Sequence, residues 1–162
     1  SIECFIAEFF RQLGNEALIE EYGLQSFTLN VLDKRQTLTE KLVSLIRFSL
    51  SDNYTYDVAA KIRHFYDLHY LLQDTECDEY LQSEQFKTDF NTLLAHDRET
   101  FDKPEGWNTM EIEQSPLLSD FSNLWSNLKD TYLKELPAIA FSEIPSVDAV
   151  AKSFEEIKKH IL

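Results

Sequence analysis

Apolar side chains recur at three- and four-residue steps along almost the whole chain, and that period commits it to helices. Phe5, Ile6, Phe9, Phe10, Leu13, Ala17 and Leu18 form a first stripe, and Leu38, Leu42, Leu45 and Ile46 a second. Val58, Ile62, Phe65, His69 and Leu72 form a third, followed by Leu81, Phe86, Phe90, Leu93 and Leu94. Two more run through Leu118, Phe121, Leu124, Trp125, Leu128, Tyr132 and Leu136, and through Val147, Val150, Phe154, Ile157 and Ile161. The spacing predicts helices over about 37–50, 56–72, 80–95, 117–136 and 146–162. Gly14 ends or weakens the first helical segment, Gly23 stops it, and Ser146 caps the last. Thr37-Leu38-Thr39-Glu40 reads as a capping box opening the second.

One stretch departs from this period. Phe27, Leu29 and Val31 alternate with Ser26, Thr28 and Asn30, the mark of a half-buried strand near residues 26–32. A single strand makes no sheet. The expected architecture is therefore mainly α: one domain over 1–162, a helical bundle of about five to six helices with one short β-strand. Only 3 Gly and 4 Pro stand among 162 residues, against usual shares of roughly 7% and 5%. That shortage excludes turn-rich β architectures and disfavours a glycine phosphate loop. Residues 74–79 read as an acidic connector, with Cys77 as a surface thiol. Residues 98–116, with Gly106, Trp107 and two prolines, read as a long loop.

Charge narrows the partners. Fifteen Lys+Arg against 29 Asp+Glu leave a net charge of −14, which repels a phosphate backbone. Lys34–Arg35 and Lys158–Lys159 are the only adjacent basic pairs. No nucleic acid is expected to bind this chain alone. Cys4 and Cys77, far apart, fit free thiols in a reducing compartment. No apolar run approaches the ~20 residues of a membrane span, and no secretory leader is expected. A cytoplasmic location without a membrane follows as the expectation.

The residues with chemical potential sit on two helices. Lys41 stands at the edge of the Leu38–Leu45 stripe, where its methylenes can lie on the core and its ammonium can reach a boundary partner. Arg63 and Asp67 are four apart on the next helix, flanked by Tyr66 and Tyr70. That helix is apolar nearly all round, so Asp67 needs a cation, and Arg63 or Lys41 are the candidates. Spacing leaves two readings open, a helix ion pair with a snorkelling lysine or part of a site. His64 and His69, five apart, cannot share a metal on one helical face. Glu111-x-Glu113 matches a metal-binding carboxylate pair in spacing alone, so no metal site is expected, and no Ser/His/Asp elbow, HExxH or Walker loop is present.

Thr37-Leu38-Thr39-Glu40-Lys41-Leu42, followed by Lys61-Ile62-Arg63-His64-Phe65-Tyr66-Asp67-Leu68, resembles the C-terminal half of the AbiEii/AbiGii toxin family. These are nucleotidyltransferase-like proteins of bacterial abortive-infection and type IV toxin–antitoxin systems. Leu128-Lys129-Asp130-Thr131-Tyr132 and Ile144-Pro145-Ser146-Val147 extend the likeness, which covers about 24–162. The resemblance implies nucleotidyl transfer from an NTP with Mg2+, and an antitoxin protein as partner. By the same resemblance Lys41 and Asp67 are the catalytic candidates, Lys41 meeting nucleotide phosphates and Asp67 orienting the site or assisting the acceptor. Arg63 and Tyr66 are the substrate-binding candidates. The family's Gly-Ser and Asp-x-Asp motifs have no counterpart here, since Gly14, Gly23 and Gly106 precede Asn, Leu and Trp. Together with the orphan strand and a start at Ser1, this leads to the expectation of a C-terminal part lacking its catalytic N-terminal module. Such a piece is inactive alone, with no cofactor of its own. The alternative is a non-catalytic acidic helical module that binds protein.

Overall fold

Helices carry the chain almost throughout, as the periodicity requires, but they are shorter and more numerous than their stripes. The computed structural model describes residues 4–27, 32–140 and 143–161. These hold ten α-helices and two short 3-10 turns, where about five to six helices are expected. The predicted strand falls mostly on residues 28–31, outside the described residues, and among the described ones Phe27 alone pairs in the manner of a strand.

Residues 1–32 and 33–162 form two compact units. The first holds α1 (Phe5–Gln12) and α2 (Ala17–Glu21). Each ends on a glycine with positive φ, Gly14 at 71° and Gly23 at 62°. After α2, Gly23 N–H donates to the Glu20 carbonyl and Leu24 N–H to that of Ile19, the paired bonds of a Schellman stop. Ala7 and Ile19 are buried here, whereas Phe5, Phe9 and Leu13 of the predicted stripe are exposed. Thirty-odd residues have too little interior for a whole aromatic stripe.

The second unit is built around α3 (Lys34–Ser49). Asp33, not Thr37, caps this helix, accepting from Arg35 N–H at 2.8 Å. Thr37 lies a turn inside and returns its hydroxyl to the Asp33 carbonyl at 3.1 Å. An aspartate four residues earlier satisfies the open N–H groups first, so the predicted capping box does not form. α3 packs on α4 (Tyr54–Ala59), α5 (Ile62–Leu72), α6 (Thr75–Leu81), α7 (Glu84–Thr100) and α8 (Pro116–Ser119). The predicted 56–72 helix is thus two, broken at Ala60–Lys61, and Val58 and Ile62 on either side are both buried.

The acidic connector is α6, capped by the Asp74 carboxylate, which accepts from Glu76 and Cys77 N–H at 3.1 Å each. Cys77 is fully buried there, not a surface thiol. Burial first, and the Asp74 carboxylate second, push its thiol up to about 11, so it is inert as a nucleophile at neutral pH. The 98–116 segment is closed down rather than open. Trp107 is fully buried, its indole N–H donates to Phe101 O at 2.9 Å, and Arg98 donates to Met110 O at 2.6 Å.

α9 (Phe121–Ile139) runs through Pro137 in its last turn, and α10 (Val147–Lys158) starts on Ser146, whose hydroxyl accepts from Ala149 N–H at 3.2 Å. α5, α9 and α10 meet at an aromatic cluster. The Phe65 ring lies 5.1 Å from Trp125, 5.1 Å from Phe154 and 6.2 Å from Phe121. That packing fixes the rotation of α5 about its axis, and so decides which of its polar residues face α3.

Candidate functional site

Arg63, Asp67 and Asp74 fall on the side of α5 and α6 that meets α3, because Phe65 and Leu68 commit the opposite side to the core. α3 supplies Lys34 and Lys41, seven residues apart on one face. Asp67 and Asp74 are also seven apart, so the antiparallel pairing lines up two rungs. Lys41 Nζ donates to Asp67 Oδ2 at 2.7 Å, and Lys34 Nζ to Asp74 Oδ2 at 2.8 Å. The first rung is the drier one, with side chains about one-fifth exposed against 39% for each partner of the second. Arg63 Nε adds a longer contact to Asp67, at 3.7 Å.

Between the rungs lies a groove of about 490 Å3, floored by Thr37 and Leu71 and edged by Tyr70. Three predicted residues, Lys41, Arg63 and Asp67, thus meet around one carboxylate. Tyr66 is buried, 7% exposed, and its ring stands edge-on behind that of Tyr70 at 5.0 Å. A second groove, beside Thr39, Tyr80 and Asp89, has its hydroxyls engaged internally. Tyr80 OH donates to Asp89 at 2.8 Å and lies 3.1 Å from the Thr39 hydroxyl. It leaves less to offer a ligand than the Lys41 groove.

A half-buried ion pair is weak evidence of a stabilising role, because desolvating two charges offsets most of their attraction. The arrangement is suited to a different task. An ammonium held by a carboxylate, with a guanidinium beside it, presents preorganised donors to an anion and lets the carboxylate set their direction. The same donors do not fit a divalent cation. Asp67 is already held by two cations, and among the described residues no three His, Cys, Asp or Glu side chains converge on a metal position.

His64, one turn before Asp67, belongs to this cluster and carries no signal in spacing alone. Its Nδ1 is buried without a hydrogen-bond partner. Burial first, then the nearby charges of Lys41 and Lys61, lower its pKa to about 4, with Asp67 pulling the other way. Above the unfolded value near 6.5 both states are neutral and His64 contributes nothing to pH dependence. As pH falls from 6.5 towards 4, the unfolded chain takes up a proton that the folded one refuses, and stability drops. The loss is on the order of 2 kcal/mol after allowance for partial solvent screening. His64→Gln is expected to flatten this decline, measured by urea unfolding near pH 7 and near pH 4.5. An unchanged difference between the two pH values would show that His64 does not drive it.

Among the described residues no helix is long and apolar enough to cross a membrane. Compared with known proteins, the chain matches one family model over residues 6–154, described as Nucleotidyl transferase AbiEii toxin, Type IV TA system. No curated protein and no solved structure matches it.

Proposed function

From the premise that this chain belongs to the AbiEii nucleotidyl transferase toxin family of type IV toxin–antitoxin systems, we propose that it is the helical C-terminal part of an NTP-dependent nucleotidyltransferase toxin. It supplies the nucleotide- and acceptor-side charges, and is inactive alone. The single observation that carries this reading is the Lys41–Asp67 contact of 2.7 Å, placed across two helices at the mouth of a groove. In this reading Lys41 lends its ammonium to the phosphates of an NTP. Arg63 adds a second cation, and Asp67 aims both and faces the acceptor. Tyr66 acts on the substrate side through Tyr70, whose ring it supports. The carboxylates that hold Mg2+ and the glycines that cradle phosphate belong to an upstream Gly-Ser/Asp-x-Asp module. An antitoxin protein is the partner that restrains the toxin in the cytoplasm.

The test is growth arrest by the complete gene product carrying Lys41→Ala or Asp67→Ala. One charge-assisted contact of about 1.5–3 kcal/mol corresponds to roughly 10- to 150-fold in activity. Each variant is therefore expected to lose toxicity by at least about tenfold while keeping its helical signal. Undiminished growth arrest in both variants would contradict the reading. A partner captured without any NTP requirement, together with no transfer activity, would favour a non-catalytic acidic interaction module instead.

A further inference from the structure

A groove of about 470 Å3 lies between α4 and α9, away from the Lys41 cluster. Asp52, Asn53, Tyr56 and Ala59 line it from α4 and the turn before it, and Asn127 and Thr131 from α9. Their neighbours are committed to packing. Val58 on α4 and Leu128 and Tyr132 on α9 are fully buried, whereas Tyr56 remains 78% exposed. Asn127 donates its side-chain N–H to Asn123 O at 3.1 Å, which leaves its amide oxygen to accept from elsewhere. Asp52 is the only charged group in this lining. Among the described residues it makes no side-chain hydrogen bond or ion pair.

A lone carboxylate beside an open aromatic face selects its occupant. An anion would meet Asp52 as a like charge, with no cation in the lining to receive it. A divalent cation would find one carboxylate where it needs several oxygen ligands. A lysine ammonium would satisfy Asp52 as a point charge, without a flat face to lay on the ring. A guanidinium does both, because its fork donates to the carboxylate while its plane stacks on Tyr56. Asn53, Asn127 and Thr131 then face what a bare guanidinium lacks, the N–H and C=O groups of a peptide backbone. We propose that this groove receives an arginine side chain of a protein partner, held between Asp52 and Tyr56, with the flanking backbone on the two asparagines and Thr131. The net charge of −14 draws such a basic segment towards the chain. Lys41, Arg63 and Asp67 take no part in this site, so it stands or falls separately from the nucleotide reading.

The experiment follows the backbone amides of the 162-residue chain by proton–nitrogen correlation NMR. The probes are end-blocked alanyl-arginyl-alanine, its lysine and citrulline counterparts, and agmatine, a guanidinium without a peptide backbone. The arginine peptide is expected to shift the amides of Asn53, Tyr56 and Thr131, and to bind more tightly than the other three. Tyr56→Ala and Asp52→Asn are each expected to weaken it about threefold, the scale of one exposed cation–π contact or ion pair. Tyr56→Phe should retain it. Glu105→Gln, which removes an exposed carboxylate from the 101–116 stretch, should leave it unchanged. Asp52 and Tyr56 are both exposed, so these substitutions leave the fold in place. Undiminished binding by Asp52→Asn or Tyr56→Ala, or no response to the arginine peptide, would overturn the site. Equal affinity for the citrulline peptide, or equal weakening by Glu105→Gln, would do the same, since neither requires a guanidinium held in this groove. Agmatine bound as tightly as the arginine peptide would contradict a protein partner and overturn the proposal.

Discussion

Phe65→Ala is expected to lower the unfolding free energy by about 3–5 kcal/mol, the usual range for deleting a large buried aromatic. Phe65 is 1% exposed, and its ring touches those of Phe121, Trp125 and Phe154. Removing it takes away dispersion contacts on three sides and leaves a cavity that cannot close without shifting α9 and α10 against α5. It sits two residues from Asp67, so loosening α5 also frees the Lys41 pair. Chemical denaturation followed by circular dichroism reads the loss directly. A loss under about 1 kcal/mol would mean that the cluster is slack and does not fix the rotation of α5.

Trp107→Ala is expected to have an effect of similar size, about 3–5 kcal/mol, for a different reason. Trp107 is fully buried, but it lies in the 101–116 stretch, which carries two short 3-10 turns and no long helix. Its indole N–H satisfies Phe101 O at 2.9 Å. Arg47, from α3, stacks over Phe101 at 4.2 Å and over Trp107 at 5.6 Å, and donates to Lys103 O at 2.7 Å. Without the indole, that arginine loses one of its aromatic platforms. The backbone it supports opens to water. Cleavage within 101–116 by a dilute protease should quicken together with the loss in stability. Stability within about 1 kcal/mol of the parent, and unchanged cleavage, would show that the stretch is held by other contacts.

These two residues also show how far the fold is legible in the sequence. Phe65, Phe121, Trp125 and Phe154 lie on clean three- and four-residue stripes, and all four are in the core. Trp107 has no periodic neighbours; a tryptophan there reads as a core or loop anchor, and its partners in space, Arg47 and Phe101, show which stretch it anchors. The aspartate caps were harder to read for a reason particular to this chain. With 29 acids, an aspartate before a helix carries little information, and Asp33 and Asp74 were hidden among ordinary surface charge. Asp74 in turn hid α6, whose seven residues include three acids and only three buried side chains.

The candidate site was legible in its members and less so in its arrangement. Spacing placed Arg63 within reach of Asp67 and left Lys41 as a possible partner. That Lys41 takes the shorter contact depends on the antiparallel register of α3 and α5, which no local pattern encodes. The matching seven-residue intervals, Lys34 to Lys41 and Asp67 to Asp74, are the signal that would have revealed it. His64 gave no signal, because an unpartnered buried nitrogen is a property of three-dimensional packing. Tyr66 lies behind Tyr70, since its position on α5 turns further towards the core.

The central claim is that Lys41 and Asp67 are kept for a substrate rather than for the fold. Each single substitution removes one member of a half-buried pair: Lys41→Ala leaves Asp67 with the longer Arg63 contact, and Asp67→Ala leaves the Lys41 ammonium half-buried without its carboxylate, at a cost of about 1–3 kcal/mol. Replacing both together, Lys41→Met with Asp67→Leu, removes the charges while keeping the bulk, and such exchanges are often neutral or stabilising. The most direct measurement is therefore growth arrest by the complete gene product carrying the double substitution, with its unfolding free energy determined alongside. Stability should return to within about 1 kcal/mol of the parent while toxicity stays lost, as in Lys41→Ala and Asp67→Ala. Recovery of both stability and toxicity in the double variant would contradict the account and assign the pair to the fold alone.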